Sequence, residues 1–384
     1  MRWVLASTLN EDKATRYHRL KRRAGVASWL WSAALLVGLS WSGASPFLRS
    51  VGERVAGSVG PAWQPASATV VYVCLLILVH EIGSAPIAWY GGFLLDARYG
   101  LATERLSGWI RDRVKSLAVG TSLACGATLI VYALISRFPE RWWLAAGLAF
   151  AALIVGVTHL TPILLLPLFY SVKPLEKASL RARLITLAER AGARVLGVYE
   201  WGLSDRTKKA NAALTGLGTT RRILVSDTML ADYSDDEIEV VLAHELAHHV
   251  HRDIWKGMAF ESASIVAGFY LAARLLALSR GPVGLRNAAD VAGLPLLLLA
   301  AGAVSIVMLP VAQALSRAYE RRADQFALDL TGNPPAFISA MRRLGAQNLA
   351  EERPSKIVQW LFYSHPPLCE RIAVAQGFES LKRA

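Results

Sequence analysis

Six stretches of this chain, roughly 26–44, 67–94, 116–136, 142–169, 258–278 and 293–316, are apolar over lengths that a bilayer demands. A helix needs about 20 mostly apolar residues, rising about 1.5 Å each, to cross the hydrocarbon layer. Only RFPER separates the third stretch from the fourth, and it reads as a tight turn because the combined run is too long for one span. Composition agrees: 54% of the 384 residues are hydrophobic and 18% charged, and the mean hydropathy is +0.35. That is too apolar for an ordinary soluble globule of this length.

The formal net charge of +13 raises the possibility of nucleic-acid binding, and the placement of the charge argues against it. Lys and Arg number seven before residue 26, five in 96–115, thirteen in 171–257 and ten in 317–384. The intervening segments 45–66, 137–141 and 280–292 hold two each. This alternation follows the positive-inside rule at every span and puts both termini and the long segment 171–257 in the cytoplasm. LKRRAG before the first apolar run and SGAS after it suggest a leader, but about 25 residues precede the run, which suits a retained signal-anchor. Cys74, Cys125 and Cys369 form neither a disulfide framework nor a cysteine-based zinc site.

Four of the eight histidines fall in one stretch, VLAHELAHHVHRD, which runs on into the fifth apolar segment. Ser234 and Glu237 form a capping-box pattern, and Ile238, Val241, Leu242 and Leu246 give the following helix an apolar stripe. His244 and His248, four apart, project from one face and are placed to hold a zinc ion. Glu245 is placed to take a proton from the water that the metal activates. His249 and His251 are given no role. The metzincin extension fails, because His251 stands where it needs Gly and Ile254 where it needs His.

A third ligand must come from elsewhere, and Glu320 in AYERRADQFAL, just beyond the sixth span, is the best candidate, with Asp324 one turn later. Asp253, nine residues after His244, lies on another face, and Glu261 lies too far into the membrane. Two adjacent membrane helices would then meet at a metal held where water meets lipid, an arrangement suited to a membrane-embedded or lipid-attached substrate. Residues 194–201 and 221–226 read as strands, with NAALTGL between them as an exposed edge.

HELAH followed by ERRAD, KKANAALTGLGTTRRILVSDTML, SHPPLCERI and YGGFLLDARYGLATERLSGWIRDRVKS resemble the CAAX prenyl protease type 1 family, integral-membrane zinc metallopeptidases of the gluzincin kind. The related heat-shock membrane metalloproteases share HExxH but lack most of this N-terminal half. The resemblance implies that His244, His248 and Glu320 bind one Zn2+ per chain and that Glu245 is the base. It implies that Asp324 orients a ligating histidine, and that Asn211 and Ala212 belong to an edge strand that takes the substrate backbone by β-augmentation. His365 and Arg371 match a segment that implies oxyanion stabilisation or contact with a C-terminal carboxylate. Read without the resemblance, Asn211 is a turn residue and His365, before Pro366 and Pro367, a helix cap. His80 and Glu81, deep in the second span, are expected to line a water-filled chamber of the hollow helical barrel that the family implies. The chain departs from the family's eukaryotic members, with six expected spans against seven and a short tail after the last motif.

The expected architecture is a mainly α, polytopic membrane protein with about six transmembrane helices and a cytoplasmic zinc-metalloprotease domain carrying a small β-sheet. Residues 1–25 form a cytoplasmic N-terminal segment, and 26–170 four spans with a cytoplasmic loop at 96–115. The metalloprotease domain occupies 171–257, spans five and six 258–316, and the domain's C-terminal part 317–384. The expected function is endopeptidase cleavage of membrane-associated or lipid-modified substrates at the cytoplasmic face, with peptide substrate and membrane lipids as partners and no nucleic acid. One alternative is a quality-control metalloprotease acting on damaged membrane proteins. Another is a zinc-binding transporter or receptor without proteolysis, against which Glu245 argues, since a structural metal needs no base.

Overall fold

The structure, a computed structural model, describes residues 2–57, 60–161, 164, 166–216, 220–279 and 281–383. The N-terminal half is helical throughout: α1 (Arg2–Trp41), α2 (Ala44–Ala56), α3 (Gln64–Trp89), α4 (Leu95–Arg98), α5 (Leu106–Arg137) and α6 (Trp142–Leu160). A π-helical turn over Tyr90–Leu94 joins α3 to α4, just after Pro86 has removed one N–H from the helical ladder. The second half runs α7 (Leu166–Phe169), β1 (Val172–Pro174), α8 (Ala178–Arg190), β2 (Val198–Trp201), β3 (Ala212–Thr215), β4 (Arg222–Ser226), α9 (Asp227–Asp232) and α10 (Asp235–Val250). It continues through α11 (Asp253–Ser279), α12 (Leu294–Thr331), α13 (Pro334–Gln347), α14 (Lys356–Phe362) and α15 (Leu368–Arg383).

Five helical segments among the described residues are long and apolar enough to cross a membrane: Lys13–Trp41, Gln64–Arg98, Leu106–Arg137, Asp253–Ser279 and Val291–Thr331. The fourth expected span, 142–169, takes the form of the shorter apolar helix Trp142–Thr158, about 26 Å long at about 1.5 Å per residue. The membrane helices share one apolar core, in which Tyr72, Val131, Ile135, Ala272 and Leu297 are buried. The helices outrun the apolar stretches that announce them. Hydropathy ends where lipid contact ends, whereas α1 begins at Arg2 and buries Ala14 and Tyr17 beside Leu95 and Leu101.

The second core belongs to a compact α/β unit. Its four-stranded sheet has the order β1-β2-β4-β3; β2 and β4 run parallel, the other pairs antiparallel. The expected strands are thus β2 and β4, and the segment between them supplies β3 at the sheet edge. Buried Val198, Ile223, Val225, Leu242, Leu246, Phe337 and Ala340 bind the sheet to α10 and α13 in one cluster. α12, 38 residues long and thus about 57 Å, belongs to both cores: Leu297 and Ala300 pack in the membrane, Ala327 and Leu328 in the α/β unit.

Candidate metal centre

The capping box expected at the start of α10 is formed: Ser234 Oγ accepts from Glu237 N at 3.3 Å, and Glu237 Oε2 accepts from Ser234 N at 2.8 Å. From this start α10 buries Ile238, Leu242 and Leu246 and turns His244 and His248 towards α12. The motif helix does not run on into the membrane. Arg252 takes a left-handed φ of 57° between α10 and α11, and the chain changes direction there.

His244, His248 and Glu320 converge, each offering a ligand atom within 4.8 Å of the others. His244 Nε2 lies 3.2 Å from Glu320 Oε2, and His248 Nε2 lies 3.3 Å from Glu320 Oε1. The Nδ1 side of each ring faces a carboxylate: His244 Nδ1 is 2.9 Å from Asp324 Oδ1, and His248 Nδ1 is 3.2 Å from Asp253 Oδ2. An imidazole that donates from Nδ1 can offer its Nε2 to a metal, and both Nε2 atoms face the Glu320 carboxylate. Glu320 Oε2 is buried without a hydrogen bond of ordinary geometry, although His244 Nε2 and His365 Nδ1, the latter at 2.7 Å, stand beside it. An orphaned carboxylate oxygen between two converging imidazoles fits a divalent cation.

The electrostatics are those of a site built for charge. Burial pushes His244 towards its neutral form, but Asp324 and Glu320 outweigh it and raise its pKa to about 9. Burial likewise opposes ionisation of Glu320, and His244, His248 and His365 outweigh it, holding the carboxylate well below the usual range. Glu245 differs: burial raises its pKa, only partly offset by His244 and His248, which suits a carboxylate that must accept a proton.

Arg371 closes the centre from α15, donating from Nε and Nη2 to Asp324 at 2.8 and 2.6 Å. His365 sits in the loop before α15, 2.7 Å from Glu320 and more than half exposed. A cavity of about 350 Å³ is lined by Asn211, Ala212, His244, Glu245, His365 and Arg371, so the sequence-derived candidates other than the α12 carboxylates and His248 share one chamber. A second cavity of about 200 Å³ touches Glu245 and His248 from the other side, with Leu214 and Arg221. His80 and Glu81 lie elsewhere. They line a separate cavity of about 420 Å³ among the membrane helices, where Glu81 pairs with Arg113 at 2.5 Å.

Asp253 is the residue that sequence reasoning set aside. It is 6% exposed and, besides facing His248, accepts from Arg322 Nη2 at 2.9 Å. The helical-face argument against it holds only for an unbroken helix, and the left-handed turn at Arg252 folds it back under His248.

These features are those of a class, the membrane-spanning metallopeptidases of the HExxH type, with a glutamate from a later helix beside the two histidines. Comparison with known proteins places the chain within it. Residues 174–379 match the model for peptidase family M48, and residues 6–171 match the CAAX prenyl protease N-terminal domain, five membrane helices. The chain belongs to peptidase family M48, in its CAAX prenyl protease-like membrane branch, and is a metalloendopeptidase by that membership. It is 31% identical to the metalloprotease YhfN of Bacillus subtilis over 81% of this chain and 74% of that one. It is 25% identical to CAAX prenyl protease 1 of Saccharomyces cerevisiae, over 82% and 73%. The crystal structure of S. mikatae Ste24p has the same fold, with a TM-score of 0.83 at 23% identity, over 95% of this chain and 88% of that one.

Proposed function

We propose that the chain is a zinc endopeptidase that cuts membrane-associated or lipid-modified peptides at the cytoplasmic face of its membrane. His244, His248 and Glu320 hold the zinc, with Asp324 and Asp253 fixing the two imidazoles. The ion, when bound, supplies Lewis-acid activation of water and of the scissile carbonyl. Glu245 takes the proton of the attacking water and returns it to the departing amine, a role that its burial-raised pKa favours. His365, exposed beside Glu320, donates to the oxygen on which charge develops. Arg371 acts chiefly through Asp324, and its Nη2 also lies 3.3 Å from His244 Nδ1. Ala212 presents the substrate with a strand edge, so the peptide is held by its backbone, and Asn211, whose own backbone pairs with Ser226, lines the same chamber.

The observation that carries this reading is the shared chamber: Glu245, His244, His365 and a sheet edge meet in one cavity. The α/β unit that holds it is joined to the membrane core through α12, which supports a substrate tethered to the bilayer. Glu245→Gln should retain the metal and lose turnover by several orders of magnitude, whereas His244→Ala should lose both. Metal analysis and peptide cleavage by the purified variants decide it, and a fully active Glu245→Gln enzyme would remove Glu245 from the mechanism.

A further inference from the structure

The edge strand is closed at one end by a side chain that imitates a strand. In an antiparallel pair, alternate residues direct both backbone groups at the partner. Asn211 faces β4: its carbonyl accepts from Ser226 N at 2.9 Å and its N–H donates to Ser226 Oγ at 3.0 Å. With Ala213 opposite Leu224 and Thr215 opposite Arg222, Ala210, Ala212 and Leu214 direct theirs outward. Ala212 lines the larger cavity at Glu245 and Leu214 the smaller one, so the outward edge passes the base from one side to the other. Ala210, the next outward residue, is already paired: its N–H donates to Asn348 Oδ1 at 3.1 Å, and its carbonyl accepts from Asn348 Nδ2 at 3.3 Å.

The carboxamide of Asn348 thus fills the place that a peptide group of an added strand would take. It is held there at some cost. Leu349 has a left-handed φ of 51°, unfavourable for a branched side chain, and its carbonyl accepts from His18 Nε2 of α1 at 2.8 Å. Gln347 Nε2 donates to the Lys208 carbonyl at 2.8 Å, so two consecutive side chains at the end of α13 clamp residues 208–210. Behind them Arg22 donates to Glu351 at 2.7 Å, and His18, Asn348 and Glu351 wall the larger cavity.

We infer that Asn348 is a strand stop that sets the cleavage register: a peptide paired with Ala212 and Leu214 cannot continue its pairing past Ala210, so the cleft is blind on that side, while among the described residues no side chain takes the same place beside Leu214. The inference deepens the proposed proteolysis and rests on the sheet edge being the substrate site. Its direct consequence is asymmetry. Chain length should be limited on one side of the cut and unrestricted on the other.

The test uses the full-length, metal-loaded protein and a ladder of peptides lengthened one residue at a time on either side of a mapped cleavage site. Binding is measured on Glu245→Gln by fluorescence anisotropy, and cleavage on the wild type by mass spectrometry. Lengthening one side should leave affinity and kcat/KM unchanged, while lengthening the other beyond a fixed count should lower both by about tenfold, the worth of a lost backbone contact. Asn348→Ala should relieve that limit and spread the cut over neighbouring bonds, with Asn348→Asp, which keeps the acceptor for Ala210 N–H, intermediate. Equal tolerance on both sides in the wild type would overturn the strand stop, as would an Asn348→Ala enzyme that cuts short peptides normally and keeps the wild-type limit. Length-limited binding to Glu245→Gln without any wild-type cleavage would refute the proteolysis and leave the strand stop standing.

Discussion

Asp253 shows how one backbone torsion decides what a side chain can do. Had α10 continued, it would have pointed away from the metal centre; with Arg252 left-handed, it meets His248 and completes a second carboxylate–histidine pair to match Asp324 and His244. Such partners raise ligand basicity and fix the ring, and their loss costs about 10 to 100-fold in metal affinity. Asp253→Ala and Asp324→Asn are each expected to fall in that range, and Glu320→Gln to fall further because it removes a ligand. Chelator competition on the purified proteins measures all three. Metal retention by Glu320→Gln together with loss in Asp324→Asn would exchange the roles assigned on α12. His244, Glu245, His248, Glu320 and Asp324 were legible because their spacing is helical within unbroken helices. Asp253 was not, because no sequence pattern marks a non-glycine residue that will turn left-handed.

At the scale of elements, Glu237 ties the motif helix to α13. Its carboxylate caps α10 and also accepts from Ser339 Oγ at 2.5 Å and Arg343 Nε at 2.9 Å, while its side chain is 4% exposed. Burial raises its pKa, but Ser339, Ser234 and Arg343 outweigh it, and the net shift is downward. A carboxyl depressed in the folded state stabilises the fold above its unfolded pKa of about 4.3, and that contribution disappears as pH falls through the folded value. Wild-type Tm should therefore drop as pH is taken from about 6 to below about 4. Glu237→Gln should be less stable near neutrality by about 1–3 kcal/mol and show a shallower slope. Thermal unfolding in detergent across this pH range is the measurement, and parallel pH profiles would show that Glu237 carries no linkage. The cap, the strands and the edge position of β3 were readable from residue pattern alone. The tie to Ser339 and Arg343 was not, since it joins residues about a hundred positions apart and carries no local signature.

For the whole molecule, the apolar stretches located the membrane helices and misjudged their ends, because amphipathic continuations such as residues 13–25 of α1 leave the lipid and bury a face against protein instead. The distribution of Lys and Arg predicts which side the α/β unit occupies. After replacement of Cys74, Cys125 and Cys369, a single cysteine at exposed Leu196 should react with an impermeant maleimide in inside-out vesicles only. One at exposed Trp63, between α2 and α3, should react in right-side-out vesicles only. The opposite labelling pattern would invert the topology and move the metal centre to the other face.

Two of the metal's three candidate ligands stand on α10, anchored in the α/β core, and the third rides on α12, whose other end lies in the membrane core. Glu320 is 26 residues from Leu294, about 39 Å along the axis, and at that radius a tilt of about one degree carries it about 0.7 Å. Pro310 places a weak point between the lipid-facing part and the ligand. Bilayer thickness sets the tilt of a long apolar helix, so α12 is the element through which the membrane reaches the site. The same rod that spans the lipid carries a candidate ligand, and the packing of Ala327 and Leu328 in the core shared with α10 is what holds Glu320 at the imidazoles against such tilting.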